Sequence, residues 1–249
     1  MPYYTLFFEE HLISNLPFNE ENDTINCNPN RVLIQTKGRG CCVIAVIDYG
    51  AGNLQSVIKA LHYIGCDAVI TKDKQVLQNA DGAILPGVGS FADAMDCMKA
   101  SGLTESVIGY ANSGKPFLGI CLGLQLLFEA SEESPGAKGL GLLKGKITKI
   151  PAGEGLKIPH MGWNDLTIPS RTGLFAGITG NPYVYFVHSY YLTADDPAIV
   201  SSRTSYGVSI DASVQKGNIF ATQFHPEKSG SAGLDMLRNF AAITRGEER

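Results

Sequence analysis

From residue 42 onward, apolar positions alternate between two kinds of pattern. Cys42-Val-Ile-Ala-Val-Ile-Asp48 is a continuous, largely β-branched run. It predicts a strand buried on both faces, as in a parallel sheet. Tyr49-Gly-Ala-Gly-Asn53 reads as a turn, after which Leu54, Val57, Ile58 and Leu61 recur at helical spacing. Ala68–Thr71, Gly82–Leu85 and Pro116–Ile120 predict further strands, and Phe91–Ala100, Thr104–Asn112 and Leu122–Glu129 predict helices. Strand, turn and helix thus alternate over residues 43–130, the mark of a doubly wound α/β fold. The second half changes character. Leu142–Ile150, Asn164–Ile168, Tyr183–Leu192, Ile199–Thr204, Gly207–Val214 and Ile219–Gln223 are strand-like and separated by turn residues, and Ala232–Thr244 fits a closing helix. There is neither an internal repeat nor a Ser/Pro-rich linker, so residues 43–249 form one domain with added strands. Residues 1–42 hold no period of 2 or 3.6. They read as an N-terminal extension, disordered or non-native, with a docking or targeting arm as the other reading. Glu9, Glu10, Glu20, Glu21 and Asp23 speak against a transit peptide, which is poor in acids.

Composition narrows the classes. Of 249 residues, 20 are basic and 24 acidic, for a net charge of −4. That argues against a general nucleic-acid binder, which carries a basic face. The longest apolar stretch, Phe117–Phe128, contains Gln125 and is too short for the roughly 20 residues of a membrane helix. No secretory signal is readable. Six cysteines, Cys27, Cys41, Cys42, Cys66, Cys97 and Cys121, include no C-x-x-C pair. Neither a zinc site nor a disulfide framework is indicated, and the setting reads as reducing and cytoplasmic.

Three segments carry candidate chemistry. Gly119-Ile-Cys-Leu-Gly123 lies between a predicted strand and a predicted helix, the shape of a nucleophile elbow with Cys in the place of Ser. A helix N-terminus favours a thiolate, and the Leu122 N–H is placed to meet a developing oxyanion. The competing reading of Cys121 is a buried structural cysteine. Of five histidines, His225 stands in Gln223-Phe-His-Pro-Glu227 at a predicted strand end. On an extended segment, a spacing of two puts Glu227 on the same side, where it can orient the ring. A surface His-Pro-Glu turn fits the same residues. Leu85-Pro-Gly-Val-Gly-Ser-Phe91 links a strand to a helix, and glycines on both sides of Val88 permit an N–H to swing into a site. It matches neither phosphate-loop pattern. Gln125, one turn beyond Cys121, faces the same side. It suits either a substrate contact or a core cap. Tyr185-Phe-Val-His-Ser-Tyr190 is either a substrate-recognising strand or a packed aromatic one.

Pro86-Gly-Val-Gly89, Gly119–Gln125 and His225-Pro-Glu227, in this order and spacing, resemble the class I (triad) glutamine amidotransferases. Within that class, Asp48-Tyr-Gly-Ala-Gly-Asn-Leu54, Pro159-His-Met-Gly-Trp-Asn164, Tyr185–Tyr190 and Phe224–Gly230 resemble the glutaminase subunits of imidazole glycerol phosphate synthases. The resemblance covers residues 43–246. It implies a flavodoxin-like α/β domain with a mixed sheet that hydrolyses glutamine to glutamate and ammonia without a cofactor or metal. It implies Cys121 as nucleophile, His225 as acid and base, and Glu227 as its orienter. Oxyanion donors are implied near Val88 and Gly89 and at Leu122. Contacts to glutamine are implied from Gly87, Gln125, Glu133, His188, Ser189 and Tyr190. It further implies a (β/α)8-barrel cyclase partner that receives the ammonia and makes imidazole glycerol phosphate and AICAR. Asn53, Met161, Trp163, Tyr185 and Lys228 match positions near that interface, although Trp163 suits a core equally well. Low glutaminase activity in isolation is implied too. A glutaminase of pyridoxal phosphate synthase is the nearest rival, and the Asp48–Leu54 and Pro159–Asn164 segments argue against it. Intact Cys121, His225 and Glu227 argue against a non-catalytic subunit. A γ-glutamyl peptidase would act without a barrel partner.

Overall fold

The computed structural model describes residues 42–153 and 155–249. Apart from Cys42, the expected N-terminal extension lies outside the described residues. The first half follows the predicted alternation: β1 (Val43–Ile47), α1 (Leu54–Tyr63), β2 (Asp67–Thr71), α2 (Lys74–Asn79), β3 (Gly82–Gly87), α3 (Phe91–Ala100), α4 (Thr104–Ala111), β4 (Phe117–Cys121) and α5 (Leu122–Leu126). The second half is mostly strands: β5 (Gly145–Lys149), β6 (His160–Asp165), β7 (Tyr183–His188), β8 (Tyr190–Ala194), β9 (Val200–Ser205), β10 (Ser209–Lys216) and β11 (Ile219–Thr222), closed by α6 (Gly230–Thr244).

Seven strands form one sheet in the order β2-β1-β3-β4-β11-β10-β9. Its first five strands pair in parallel, and β10 and β9 join antiparallel at the edge. The β2-β1-β3-β4 order is the flavodoxin-like one. In such sheets ligands settle outside the carboxyl ends of the strands, near the reversal between β1 and β3. β1 shows why the continuous apolar run works. Ala45 and Ile47 enter one core with α3, α4 and α5, while Ile44 and Val46 enter the other with α1 and α6. Full burial of one such aliphatic side chain is worth about 1.5–3 kcal/mol, which commits both faces of the strand.

Several expectations need correction. Tyr183–Leu192 is not one strand. It breaks at Ser189, where the chain leaves the β6·β7 hairpin (His160 opposite His188) and joins β5 (Lys149 opposite Tyr190). The second strand begins earlier than predicted, at His160 rather than Asn164, so the His-Met-Gly-Trp-Asn segment is itself β-structure. The helix after Cys121 ends at Leu126 rather than Glu129. α2 was not predicted. It is six residues long and rests on Asp73, whose carboxylate accepts from the N–H groups of Gln75 and Val76.

Candidate active site

Cys121 ends β4 and precedes α5 directly. Its φ is 56° and its ψ −111°, and it is the one non-glycine residue with positive φ among the described residues. Such backbone is sparsely populated and costs on the order of 1–3 kcal/mol, a strain that surrounding structure must hold in place. The flanking glycines do this by letting backbones touch. A Cβ on Gly123 would lie 1.9 Å from the Leu85 carbonyl oxygen, and one on Gly119 would lie 2.8 Å from that of Gly123. The elbow expected from the sequence is therefore present, with Cys121 at its tip and 7% exposed.

β11 runs parallel to β4, and the segment after it brings His225 back beside Cys121. His225 Nδ1 is 2.8 Å from Glu227 Oε1, and both side chains are almost fully buried. The geometry differs from the extended spacing the sequence suggested. Only His225 is extended, and Glu227 sits in a 3-10 turn over Pro226–Lys228. The turn is fastened by the Lys228 N–H and the Ser229 hydroxyl, both donating to the His225 carbonyl. His225 Nε2 has no hydrogen-bond partner of ordinary geometry. Burial alone would lower the His225 pKa. The charges of Cys121 and Glu227, with the hydrogen bond to Glu227, outweigh it and push the pKa up to about 10. Catalytic hydrogen bonds are often loose before substrate arrives.

The Pro86–Ser90 segment sits beside the elbow. Gly87 is the last residue of β3, opposite Cys121. A Cβ there would meet the Gly123 nitrogen, the Leu122 side chain and the Tyr49 hydroxyl, each within 3 Å. Val88 is 43% exposed. Gly89 has φ +98° and open space around it, so that residue supplies the conformational freedom of the loop.

The remaining residues implied by the resemblance take sharper roles. Gln125 is buried and donates both amide hydrogens, to the Tyr190 carbonyl (3.0 Å) and to Gln223 Oε1 (3.0 Å). Glu133 accepts from the Phe91 N–H at 2.8 Å and so ties its own loop to the start of α3. Both ring nitrogens of His188 are engaged, Nδ1 with the Tyr190 carbonyl (2.9 Å) and Nε2 with His160 Nδ1 (3.1 Å). The ring therefore has no free nitrogen for a ligand. Burial holds both imidazoles neutral, lowering His188 to about 3 and His160 to about 4. Ser189 occupies the break between β7 and β8. One residue the sequence did not single out stands next to the nucleophile: fully buried Gln223, with Nε2 3.8 Å from Cys121 Sγ.

Of the positions matched to an interface, Met161 (48%) and Trp163 (54%) are exposed, which rules out a core role for the tryptophan. Trp163 meets Tyr185 edge-on across the β6·β7 hairpin, with ring centroids 6.1 Å apart. Lys228 is exposed on the turn that carries Glu227. Asn53 is half-buried and caps α1, its side chain accepting from the Ser56 N–H.

The family profile of class-I glutamine amidotransferases matches residues 45–243. The imidazole glycerol phosphate synthase subunit HisH of Methanothermobacter thermautotrophicus is 53% identical over 203 residues, 82% of this chain and 100% of the relative. The HisH subunit of Caldanaerobacter subterraneus subsp. tengcongensis is 48% identical, with 82% and 99% covered. Among solved structures, a glutamine amidotransferase superposes with a TM-score of 0.65 at 20% identity, covering 83% of this chain and 100% of its own. PurLQS from Thermotoga maritima superposes with a TM-score of 0.64 at 22% identity, covering 82% and 99%.

Proposed function

This chain belongs to the class-I glutamine amidotransferases, and on that premise we propose that it is the glutaminase subunit of an imidazole glycerol phosphate synthase. It hydrolyses L-glutamine to glutamate and ammonia. The observation that carries the chemistry is the strained Cys121 elbow beside a buried His225–Glu227 pair whose Nε2 is unpartnered.

The raised His225 pKa suggests how one ring serves two steps. His225 takes up the Cys121 thiol proton. Sγ attacks the side-chain amide carbon, and the tetrahedral oxyanion meets backbone N–H groups of Leu122 and of the Val88–Gly89 loop. Each such donor is worth roughly 2.7–4 kcal/mol. His225 then protonates the departing nitrogen, ammonia leaves, and a γ-glutamyl thioester remains. The thioester sulfur is neutral, so the Cys121 charge that raised the His225 pKa is gone. The ring becomes a base suited to take a proton from water, which attacks the thioester and releases glutamate and the thiolate. Glu227 holds Nδ1 throughout and keeps Nε2 toward the reaction.

Glutamine is held by the loop at Gly87, by Gln125 through Oε1, by the free edge of Glu133, and by the backbone at His188, Ser189 and Tyr190. The occupied His188 ring favours this backbone reading. The partner is a (β/α)8-barrel cyclase that takes up the ammonia before bulk water protonates it. Support comes from the exposed Met161 and Trp163, with Trp163 opposite Tyr185, whose carbonyl accepts from the His225 N–H at 3.0 Å, and with exposed Lys228 next to Glu227 in the chain. Asn53, at the end of the β1 loop, belongs to the same partner face. Histidine biosynthesis in the cytoplasm is the setting. None of the helices is long and apolar enough to cross a membrane among the described residues, and Cys42, Cys66, Cys97 and Cys121 are free thiols.

The test is glutamate release from glutamine, with and without the cognate cyclase and its ligand, beside a Cys121→Ala control. Strong stimulation lost in the variant is expected. Equal turnover with and without cyclase would overturn the partner assignment, and full turnover in Cys121→Ala would overturn the chemistry.

A further inference from the structure

A side-chain amide has two ends of nearly equal shape, so in a buried site its partners decide which end points where. The Tyr190 carbonyl can only accept. The end of Gln125 that faces it at 3.0 Å is therefore Nε2. The second hydrogen of that nitrogen points at Gln223 at 3.0 Å, so the end of Gln223 that receives it is Oε1. What Gln223 has left toward Cys121 is its own Nε2, 3.8 Å from Sγ. Turned over, Gln223 would set one amide NH2 against another and its carbonyl against the sulfur.

The anchor of this chain is itself pinned. His188 Nδ1 also donates to the Tyr190 carbonyl, at 2.9 Å. Being neutral, His188 then accepts at Nε2 from His160 Nδ1, and His160 accepts at Nε2 from Asn164 Nδ2 (3.4 Å). Every proton in the network from Asn164 to Tyr190, and from Gln125 to the sulfur, has one possible owner.

The second environment of Sγ is unfavourable to a thiolate. The Val187 carbonyl lies 3.9 Å from Sγ, where it accepts from the thiol and repels the anion. A buried anion needs donors. Around Sγ the titratable groups are His225, with Glu227 behind it on the 3-10 turn, Tyr49 from the loop after β1, which feels the Cys121 charge, and His188 at the end of β7, which feels the charge of His225. Gln223 is the uncharged donor among them.

We propose that Gln223 is a positioning residue for the nucleophile: its amide, locked by Gln125 and the Tyr190 carbonyl, presents an N–H to Cys121 Sγ and holds the thiolate form against the Val187 carbonyl. This rests on the reading of Cys121 as nucleophile. Gln223→Met removes the donor at similar volume and leaves the charge of the site unchanged. The full chain is alkylated with iodoacetamide across a pH series, and modification is read cysteine by cysteine. Cys121 in Gln223→Met is expected to react about tenfold more slowly near neutral pH, the size of a lost hydrogen bond to a charged group. The gap closes in alkali, while Cys66 and Cys97 react as in the parent. With the cyclase present, kcat falls by a similar factor and KM changes little. If Gln223→Met does not fold, Gln223→Glu keeps the acceptor for Gln125 and slows Cys121 further. A parental Cys121 profile in either folded variant overturns the proposal. Failure of the glutaminase reading shows separately, as glutamate release undiminished in Cys121→Ala, because the alkylation readout does not depend on turnover.

Discussion

The strained tip of the elbow makes a quantitative prediction about stability. Cys121 holds φ 56° and ψ −111° although it carries a Cβ. Cys121→Ala removes the sulfur and keeps the Cβ, so the strain persists. Cys121→Gly removes the Cβ as well. The difference between these two variants isolates backbone strain from loss of the thiol. Strain of this kind costs on the order of 1–3 kcal/mol. Glycine returns roughly 0.4–1 kcal/mol of that through the greater freedom of its unfolded chain. The Gly variant should therefore exceed the Ala variant by about 1 kcal/mol, which for a domain of this size is roughly 2–4 °C in Tm. Urea denaturation and calorimetry of both variants check it, and both should lack glutaminase activity. If Cys121→Gly proves less stable than Cys121→Ala, the elbow stores no strain and the reasoning fails. The expected gain in Cys121→Gly would show that function is held at a measurable cost in stability, a common trade at active sites.

Three more outcomes follow from the same geometry. Gly123→Ala places a Cβ 1.9 Å from a backbone oxygen, so the elbow cannot close, and a loss of stability larger than the roughly 1–3 kcal/mol of ordinary overpacking is expected by calorimetry. Trp163→Ala should weaken the complex with the cyclase by about 2 kcal/mol, near 30-fold in Kd by calorimetric titration, while the Tm of the free chain stays within a degree or so. The pH dependence has two limbs. His188 and His160 have native pKa values below the unfolded 6.5, so their contribution is present above 6.5 and lost as pH falls toward 4 and 3. His188 gives a slope of about 1.4 kcal/mol per pH unit there. His225 is raised, so its contribution is full below 6.5 and lost as pH rises through about 10. His160→Phe keeps the stack between Phe186 and Tyr206 and should flatten the acid limb in urea denaturation.

What could be read beforehand was whatever one segment encodes by itself. β1, β3 and β4 were legible because a strand buried on both faces has to be apolar at every position. The Cys121 elbow was legible because its glycines answer local contacts. The break at Ser189 was not, since Tyr183–Leu192 alternates without interruption and only the competing partners β6 and β5 divide it. α2 escaped because six mostly polar residues show no helical period. Trp163 could not be assigned to core or surface, because exposure belongs to the hairpin and not to the residue. Gln223 ended a predicted strand and carried no pattern of its own. Its meaning comes from Cys121, 102 residues away.

The account stands on covalent catalysis at Cys121, and that is directly visible by peptide mass spectrometry. The complex with the cyclase is mixed with glutamine, quenched in acid during turnover and digested. The account predicts one γ-glutamyl adduct, on the peptide carrying Cys121, that is absent in Cys121→Ala. Glutamate release with no adduct on Cys121, continuing at the parental rate in Cys121→Ala, would contradict it.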